Sequence, residues 1–288
     1  MLRGLLKRNA DLRVLGLIRF SYMGQGGYRL HDDPTIRRRV LYDPARLDMR
    51  FDLFEQVCLP GLRAQEDADF RVALLVGDDF PQRDRLDALV ADVPQIEVVA
   101  LPPLPHREAC HLAMKRVGAG PGWHIQFRLD DDDAVAIDYV GTVRQLLSRH
   151  IDHAGRVALS FARGVYAEER AGQVSYHARH SPYHSAGLAM LHRGAGSVMN
   201  VAHHKVQIRM SSICDVRPWM YLRTIHRLND SIGGVPGGFE PEEQVSAPML
   251  KARFGIDHAA LEAAMARARA AAPTDAEINP QARRHDAD

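Results

Sequence analysis

Residues 124–139 read HIQFRLDDDDAVAIDY. Ile125, Phe127 and Leu129 alternate with polar residues and lead straight into four aspartates, Asp130 to Asp133. The alternation predicts a buried strand with the aspartates at its C-terminal end. In open α/β sheets ligands bind at that end, because the loops leaving the strand tips form the crevice. Four adjacent carboxylates repel one another. At a separation of about 6 Å and an effective dielectric of about 20, each pair costs about 3 kcal/mol. A positive partner is therefore expected, and a hard divalent cation suits, since Mg2+ takes one or two carboxylates together with phosphate oxygens. A calcium-binding EF-hand loop is excluded: counted from Asp130, the fifth residue is Ala134, the sixth Val135 and the twelfth Gly141. A solvated acidic turn is the plain alternative, but such a turn does not need a buried strand running into it.

Outward from this strand the chain alternates strands and helices. Leu12–Phe20 predicts a first strand, followed by a glycine-rich loop, SYMGQGGYR (21–29). Its glycines do not form G-x-G-x-x-G, so it is a weak dinucleotide signal, although a strand followed by glycines can present N–H groups to phosphate. Residues 29–48 are polar, and Asp33-Pro34 and Asp43-Pro44 punctuate what reads as an ordered insertion or lid. Residues 49–65 carry helical apolar spacing, with Pro60 marking a kink or break. A second strand at 70–76 ends in Asp78-Asp79, and Pro81 as a first helical residue makes one of these a cap. Helices at 83–93 and 106–117 flank a third strand at 96–101. The order β-α-β-α-β predicts a mostly parallel central sheet flanked by helices.

Beyond the aspartates the sequence predicts a helix at 137–150, and strands at 156–166 and 174–179 joined as a hairpin. A strand at 185–193, a helix at 196–207 and a late strand at 220–225 ending in His226 follow. Residues 233–244 read as a linker, 259–271 as an alanine-rich helix, and the last residues as disordered. One α/β domain over 1–232 with a C-terminal helical extension over 233–288 is the expected organisation.

Composition narrows the function classes. The 288 residues suffice for a sizeable core, and 37 basic against 36 acidic residues give a net charge of +1. That balance offers no general attraction for nucleic acid. Cys58, Cys110 and Cys214 are odd in number and widely spaced, which suggests neither a disulfide framework nor a zinc finger. No apolar run reaches membrane-span length. The basic N-terminus MLRGLLKRNADLR lacks a secretion-signal core, and reads first as a solvated lead-in, second as a short helix touching anionic lipid at the inner face of the membrane. A cytoplasmic location is expected.

Strand, D-x-D, a small turn and a helix resemble the metal site of GT-A-type glycosyltransferases. The wording is similar to that of the putative rhamnosyltransferase family of bacteria in IRFSY (18–22), RFDLFEQVCLPGLRAQ (50–65), FRLDDDDA (127–134) and WMYLRTIHRLNDS (219–231). In order and spacing the likeness spans residues 12–232. It implies a GT-A-like fold, a nucleotide-sugar donor at the first strand and a saccharide or lipid-linked acceptor; rhamnose rests on the family name alone. Transfer needs the departing diphosphate neutralised, which Mg2+ or Mn2+ held by carboxylates does. In an extended segment residues two apart share a side, so Asp130 and Asp132 are the expected metal pair. Asp131 and Asp133 would face ribose or substrate hydroxyls. The resemblance adds His226 as a metal or phosphate ligand, with Asn229 a weaker candidate nearby. Arg19, at the first strand's tip, and Asp130 and Asp131 are the expected donor contacts. No Glu-Asp dipeptide occurs between 185 and 230, which leaves Asp215 as the best-placed carboxylate for a catalytic base. Tyr183 and Trp219 could stack on a sugar, or serve as core aromatics. Two other readings use the same residues: a metal-dependent phosphoryl-transfer or hydrolytic enzyme, and a catalytically silent GT-A fold acting as an assembly partner.

Overall fold

The structure, a computed structural model, describes residues 12–26, 33–151, 155–170, 172–194, 196–226, 229 and 245–270. A seven-stranded sheet runs in the order β10-β6-β9-β4-β1-β2-β3, and a four-stranded sheet in the order β5-β11-β7-β8. The strands are β1 (Val14–Arg19), β2 (Phe70–Gly77), β3 (Ile96–Leu101), β4 (Trp123–Asp130), β5 (Asp133–Val135), β6 (Val157–Phe161), β7 (Arg163–Arg170), β8 (Gln173–His180), β9 (Leu188–Arg193), β10 (Ser211–Asp215) and β11 (Tyr221–Ile225). In the large sheet β9 alone is antiparallel, lying between β4 and β6. The expected α/β architecture, a mostly parallel sheet flanked by helices, is present.

The hydrophobic pattern explains why β4 is central. Ile125, Phe127 and Leu129 are buried in the main core, while Leu15 and Leu17 on the opposite face of the sheet pack under the helix His106–Arg116. Gly16 sits opposite Phe127 in the β1–β4 register, and the Phe127 ring occupies the space a Cβ would need. Arg19 is paired with Asp130 in the same register, so the first strand delivers its arginine to the tip carrying the aspartates.

Several local expectations are corrected. The Asp-Pro pairs at 33–34 and 43–44 do not punctuate a loop; they open the helices Pro34–Leu41 and Pro44–Leu53. Asp33 and Asp43 are N-caps accepting backbone N–H groups, with proline in the first turn where no donor is missed. Neither Asp78 nor Asp79 is the expected cap: the next helix begins at Arg83 after Gln82, and Asp79 accepts the Tyr42 hydroxyl at 2.7 Å and pairs with Arg38. No break occurs at Pro60: a π-helical stretch, Phe54–Cys58, leads directly into the helix Leu59–Arg63, where the proline stands in the first turn. Residues 196–207 form two 3₁₀ turns, Val198–Asn200 and His203–Lys205, before the short helix Val206–Arg209. Gly194 and Gly196 hold positive φ there, and the Ser197 side chain caps the first turn, so no continuous helix starts. The expected hairpin is β7–β8, while β6 belongs to the large sheet. A helix at Ala247–Phe254, unread in the sequence, precedes His258–Ala270, and both pack into the main core. Most of the glycine-rich loop's second half, the N-terminal lead-in, the linker and the tail lie outside the described residues.

Candidate active site at the tip of the central strand

Strand β4 ends at Asp130, and the chain turns at Asp131 and Asp132 before β5 starts at Asp133. The turn inside the run breaks the extended geometry on which same-side pairing of Asp130 and Asp132 depended. Instead Asp131 and Asp132 both meet Arg50, from the Pro44–Leu53 helix. Its Nε donates to Asp131 Oδ2 at 2.9 Å and one terminal nitrogen to Asp132 Oδ2 at 2.9 Å. A second terminal nitrogen pairs with Asp131 Oδ1. Such a forked contact is the strong form of a charge-assisted hydrogen bond.

The second side of the site comes from β11. It pairs antiparallel with the three residues of β5, so Arg223 lies opposite Asp133 and the chain leaves Ile225 directly over the aspartate turn. Thr224 ties the two together: its hydroxyl donates to the Asp132 carbonyl at 2.8 Å and its N–H to Asp133 Oδ1 at 3.3 Å. His226 then places Nε2 3.0 Å from Asp132 Oδ2, and Asn229 donates to the same oxygen at 3.2 Å. Asn229 also accepts the His226 backbone N–H at 2.6 Å, which fixes the loop that carries the imidazole. Gln65 braces the floor, donating to the Ala136 carbonyl at 2.7 Å and accepting the Val140 N–H at 2.9 Å.

The carboxylates divide electrostatically. Burial disfavours a charge on Asp132, but the Arg50 guanidinium and the His226 hydrogen bond outweigh it and hold this carboxyl well below the usual range. Asp133 is pushed well above that range by burial and by the charge of Asp132. Asp130 is half-buried at the strand tip and makes no hydrogen bond or ion pair among the described residues. Part of the positive compensation for the aspartates is thus built in: Arg50 pairs with Asp131 and Asp132, and Arg223 lies against Asp133.

Among the described residues no three His, Cys, Asp or Glu side chains are gathered as ligands for a metal ion. Asp132 Oδ2 and His226 Nε2 are nevertheless 3.0 Å apart, joined by a hydrogen bond, and the same oxygen also accepts from Arg50 and Asn229. Carboxylate and imidazole are donor types that a divalent ion would take, so Asp132 and His226 would be the residues to hold one, in place of the hydrogen bond between them.

The remaining sequence candidates are placed as follows. Asp215 ends β10 on the same rim, three strand spacings, or about 14 Å, from β4. Its carboxylate accepts from Arg217 at 2.8 Å and 3.0 Å, and this hydrogen bonding lowers its pKa. Trp219 is buried beneath the Arg163 guanidinium, which stands 4.2 Å from the ring centroid, and Tyr183 bonds to Ser212 at 2.9 Å. Neither aromatic is brought to the aspartates by these contacts. Arg50 and Arg223 were not singled out in the sequence, although both lie in the stretches that carry the family likeness. The signal was the carboxylate repulsion itself, which arginines can answer as well as a metal can.

Residues 13–236 match the family described as "Putative rhamnosyl transferase". No protein of curated function matches the chain. Among solved structures, S. aureus TarS 1–349 in complex with UDP-GlcNAc is similar at 10% identity and a TM-score of 0.44, over 76% of this chain and 60% of that one. The same fragment without ligand gives 11% and 0.43, over 74% and 60%. A 4-diphosphocytidyl-2C-methyl-D-erythritol synthase gives 12% and 0.33, over 72% and 91%. The chain thus spans about three fifths of the length of the TarS fragment.

Proposed function

The chain belongs to the rhamnosyl transferase family that its sequence matches over residues 13–236, and from that premise we propose that it transfers a sugar from a nucleotide-sugar donor to a saccharide or lipid-linked acceptor hydroxyl. One observation carries this reading to particular residues: His226 and Asn229 converge from the β11 loop on a single oxygen of Asp132, at the rim where α/β folds bind ligands.

In this reading Asp132 and His226 hold a divalent cation, Mg2+ or Mn2+, with Asp130 facing the same donor. When bound, that ion supplies Lewis-acid neutralisation of the departing diphosphate. The chain's own residues do the positioning. Arg50 fixes the turn that presents Asp132, Asn229 orients the His226 loop, and Arg19 stands at the β1 tip beside Asp130, within the donor's phosphate region. Asp131 and Asp133, read from sequence as facing the donor, act as buried supports, since one is forked on Arg50 and the other receives the Thr224 N–H. Asp215 takes the acceptor proton. Its partner Arg217 has a side chain that is 80% exposed and can swing away, although the Asp215 carboxylate itself is 8% exposed. The 6-deoxy sugar follows the family name.

The test is calorimetric titration of a panel of nucleotide-sugars with Mn2+ or with EDTA, against wild type, Asp132→Asn and Asp215→Asn. One nucleotide is expected to bind tightly with metal only, and Asp132→Asn is expected to lose that binding. Asp215→Asn should bind normally yet turn over at least about a hundredfold more slowly. Failure of every nucleotide-sugar to bind under all conditions would remove the transferase reading.

A further inference from the structure

The face of β4 opposite the main core carries a second feature that the aspartate site does not use. Arg128 stands two residues before Asp130 on the same side of the strand, and Arg19 is paired with Asp130 on the neighbouring strand. The Arg128 side chain is half-buried and makes no hydrogen bond or ion pair among the described residues. Around it stand His106, at the start of the helix His106–Arg116, and His184 and His203, whose rings lie 6.1 Å apart. None of these supplies negative charge. Burial and the nearby arginines lower His106 and His203 to about 4, and burial with Arg223 and His203 takes His184 well below its ordinary value, so all three are neutral at pH 7. Asp130 is the nearby carboxylate, and its single charge acts on both Arg128 and Arg223.

A half-buried guanidinium that makes no hydrogen bond or ion pair among the described residues, beside a second arginine and three neutral imidazoles, suits an anionic ligand. Arginines arriving from β1, β4 and β11 surround a group with oxygens on several sides better than a planar carboxylate, which one fork saturates. We propose that Arg128, together with Arg19 and Arg223, forms a phosphoryl-binding subsite beside the aspartate turn. The assignment rests on the proposed transferase reading for its biological ligand, though not for its chemistry: the phosphoryl group is either the donor's diphosphate or a phosphate carried by the acceptor.

The probe is inorganic pyrophosphate, titrated calorimetrically into the full chain in EDTA, so that no metal can carry the binding. Wild type is expected to bind it. Arg128→Gln should weaken that binding by at least about tenfold, while Arg209→Gln, at an exposed arginine of the surface helix, leaves it unchanged. Arg128→Lys, which keeps the charge and loses the fork, should fall between, and it decides the matter if Arg128→Gln does not fold by circular dichroism. Equal affinity in wild type and the Arg128 variants, or an equal loss in Arg209→Gln, would overturn the subsite. A repeat with UDP, GDP, dTDP and CDP, each run with Mn2+ as well as in EDTA, separates the sources. Displacement of pyrophosphate by the nucleotide that binds assigns the group to the donor; simultaneous binding assigns it to the acceptor. If no nucleotide binds while Arg128-dependent pyrophosphate binding persists, the transferase reading falls and the subsite stands. If a nucleotide binds and pyrophosphate is indifferent to Arg128, the subsite falls and the transferase reading stands.

Discussion

At the scale of single residues, Arg50 shows how four adjacent aspartates are tolerated. Its side chain is 11% exposed, and it is forked against Asp131 and Asp132, at 1% and 5%. Removing one partner of a buried pair strands the others, so Arg50→Ala should lower stability by about 3–5 kcal/mol. Urea unfolding would measure it; a loss under about 1 kcal/mol would mean that the aspartates find other partners. Asp133 makes the opposite case. Its folded pKa lies above its unfolded value, so the unfolded state ionises first and stability falls as pH rises from the ordinary aspartate range towards the folded pKa. Asp133→Asn keeps an acceptor for the Thr224 N–H and removes that ionisation. It should raise stability at pH 7 by about 1 kcal/mol or more and flatten the decline, read from melting temperatures between pH 4 and 8. A steeper decline in the variant would show that Asp133 is ionised in the native protein. In the sequence the carboxylates stand out because strand polarity marks them, and His226 because the family resemblance implies a histidine there. Arg50 was not, because one arginine in a helical stretch looks like any solvated one until the fold turns it inwards.

Elements were read well where hydrophobic period dominates and poorly where a single side chain resets the backbone. Strands β1 and β2 are runs of buried, mostly aliphatic residues and β4 alternates apolar with polar ones, and each of the first four strands is marked nearly to its ends. The Asp-Pro pairs were misread because the same dipeptide suits a turn and a helix start; only the carboxylate's bond to the Thr35 or Arg46 N–H distinguishes them. The aspartate turn was misplaced for a related reason. Charge repulsion and the pull of Arg50 bend the chain at Asp131, and no propensity encodes that partner. The β1–β4 pairing offers a test at this scale. Gly16→Ala would drive a methyl group into the Phe127 ring, itself held edge-to-face on Tyr139 at 5.3 Å. Overpacking of this kind costs about 1–3 kcal/mol. Chemical denaturation should show that loss; an unchanged midpoint would mean that the ring has room to move.

For the molecule as a whole, the question is whether the C-terminal helices are appended to the α/β unit or are part of it. The family match ends at residue 236, and the sequence alone suggested a linker followed by an extension. The packing argues for integration. Leu250, Phe254, Ile256, Leu261 and Met265 are fully buried in the same core as Phe51, Phe54 and Leu62. Arg253 donates to the Trp219 carbonyl at 2.7 Å and to Asp138 at 2.9 Å, and its own carbonyl accepts the Ile137 N–H at 3.0 Å. The Ala247–Phe254 helix thereby braces both the approach to β11 and the segment after the aspartate turn. Five buried apolar side chains at about 1.5–3 kcal/mol each amount to on the order of 10 kcal/mol, comparable to the whole stability of an ordinary domain, about 5–15 kcal/mol. A chain ended at residue 244 is therefore expected to lose its cooperative thermal transition and to expose the Phe51–Phe54 face to a hydrophobic dye. A sigmoidal melt near the full chain's would show instead that the α/β unit is stable alone. In that outcome Arg253 would still be needed to hold the β11 approach, and the shortened chain would fold yet bind donor poorly. The two measurements together separate a core role for these helices from a role in shaping the site.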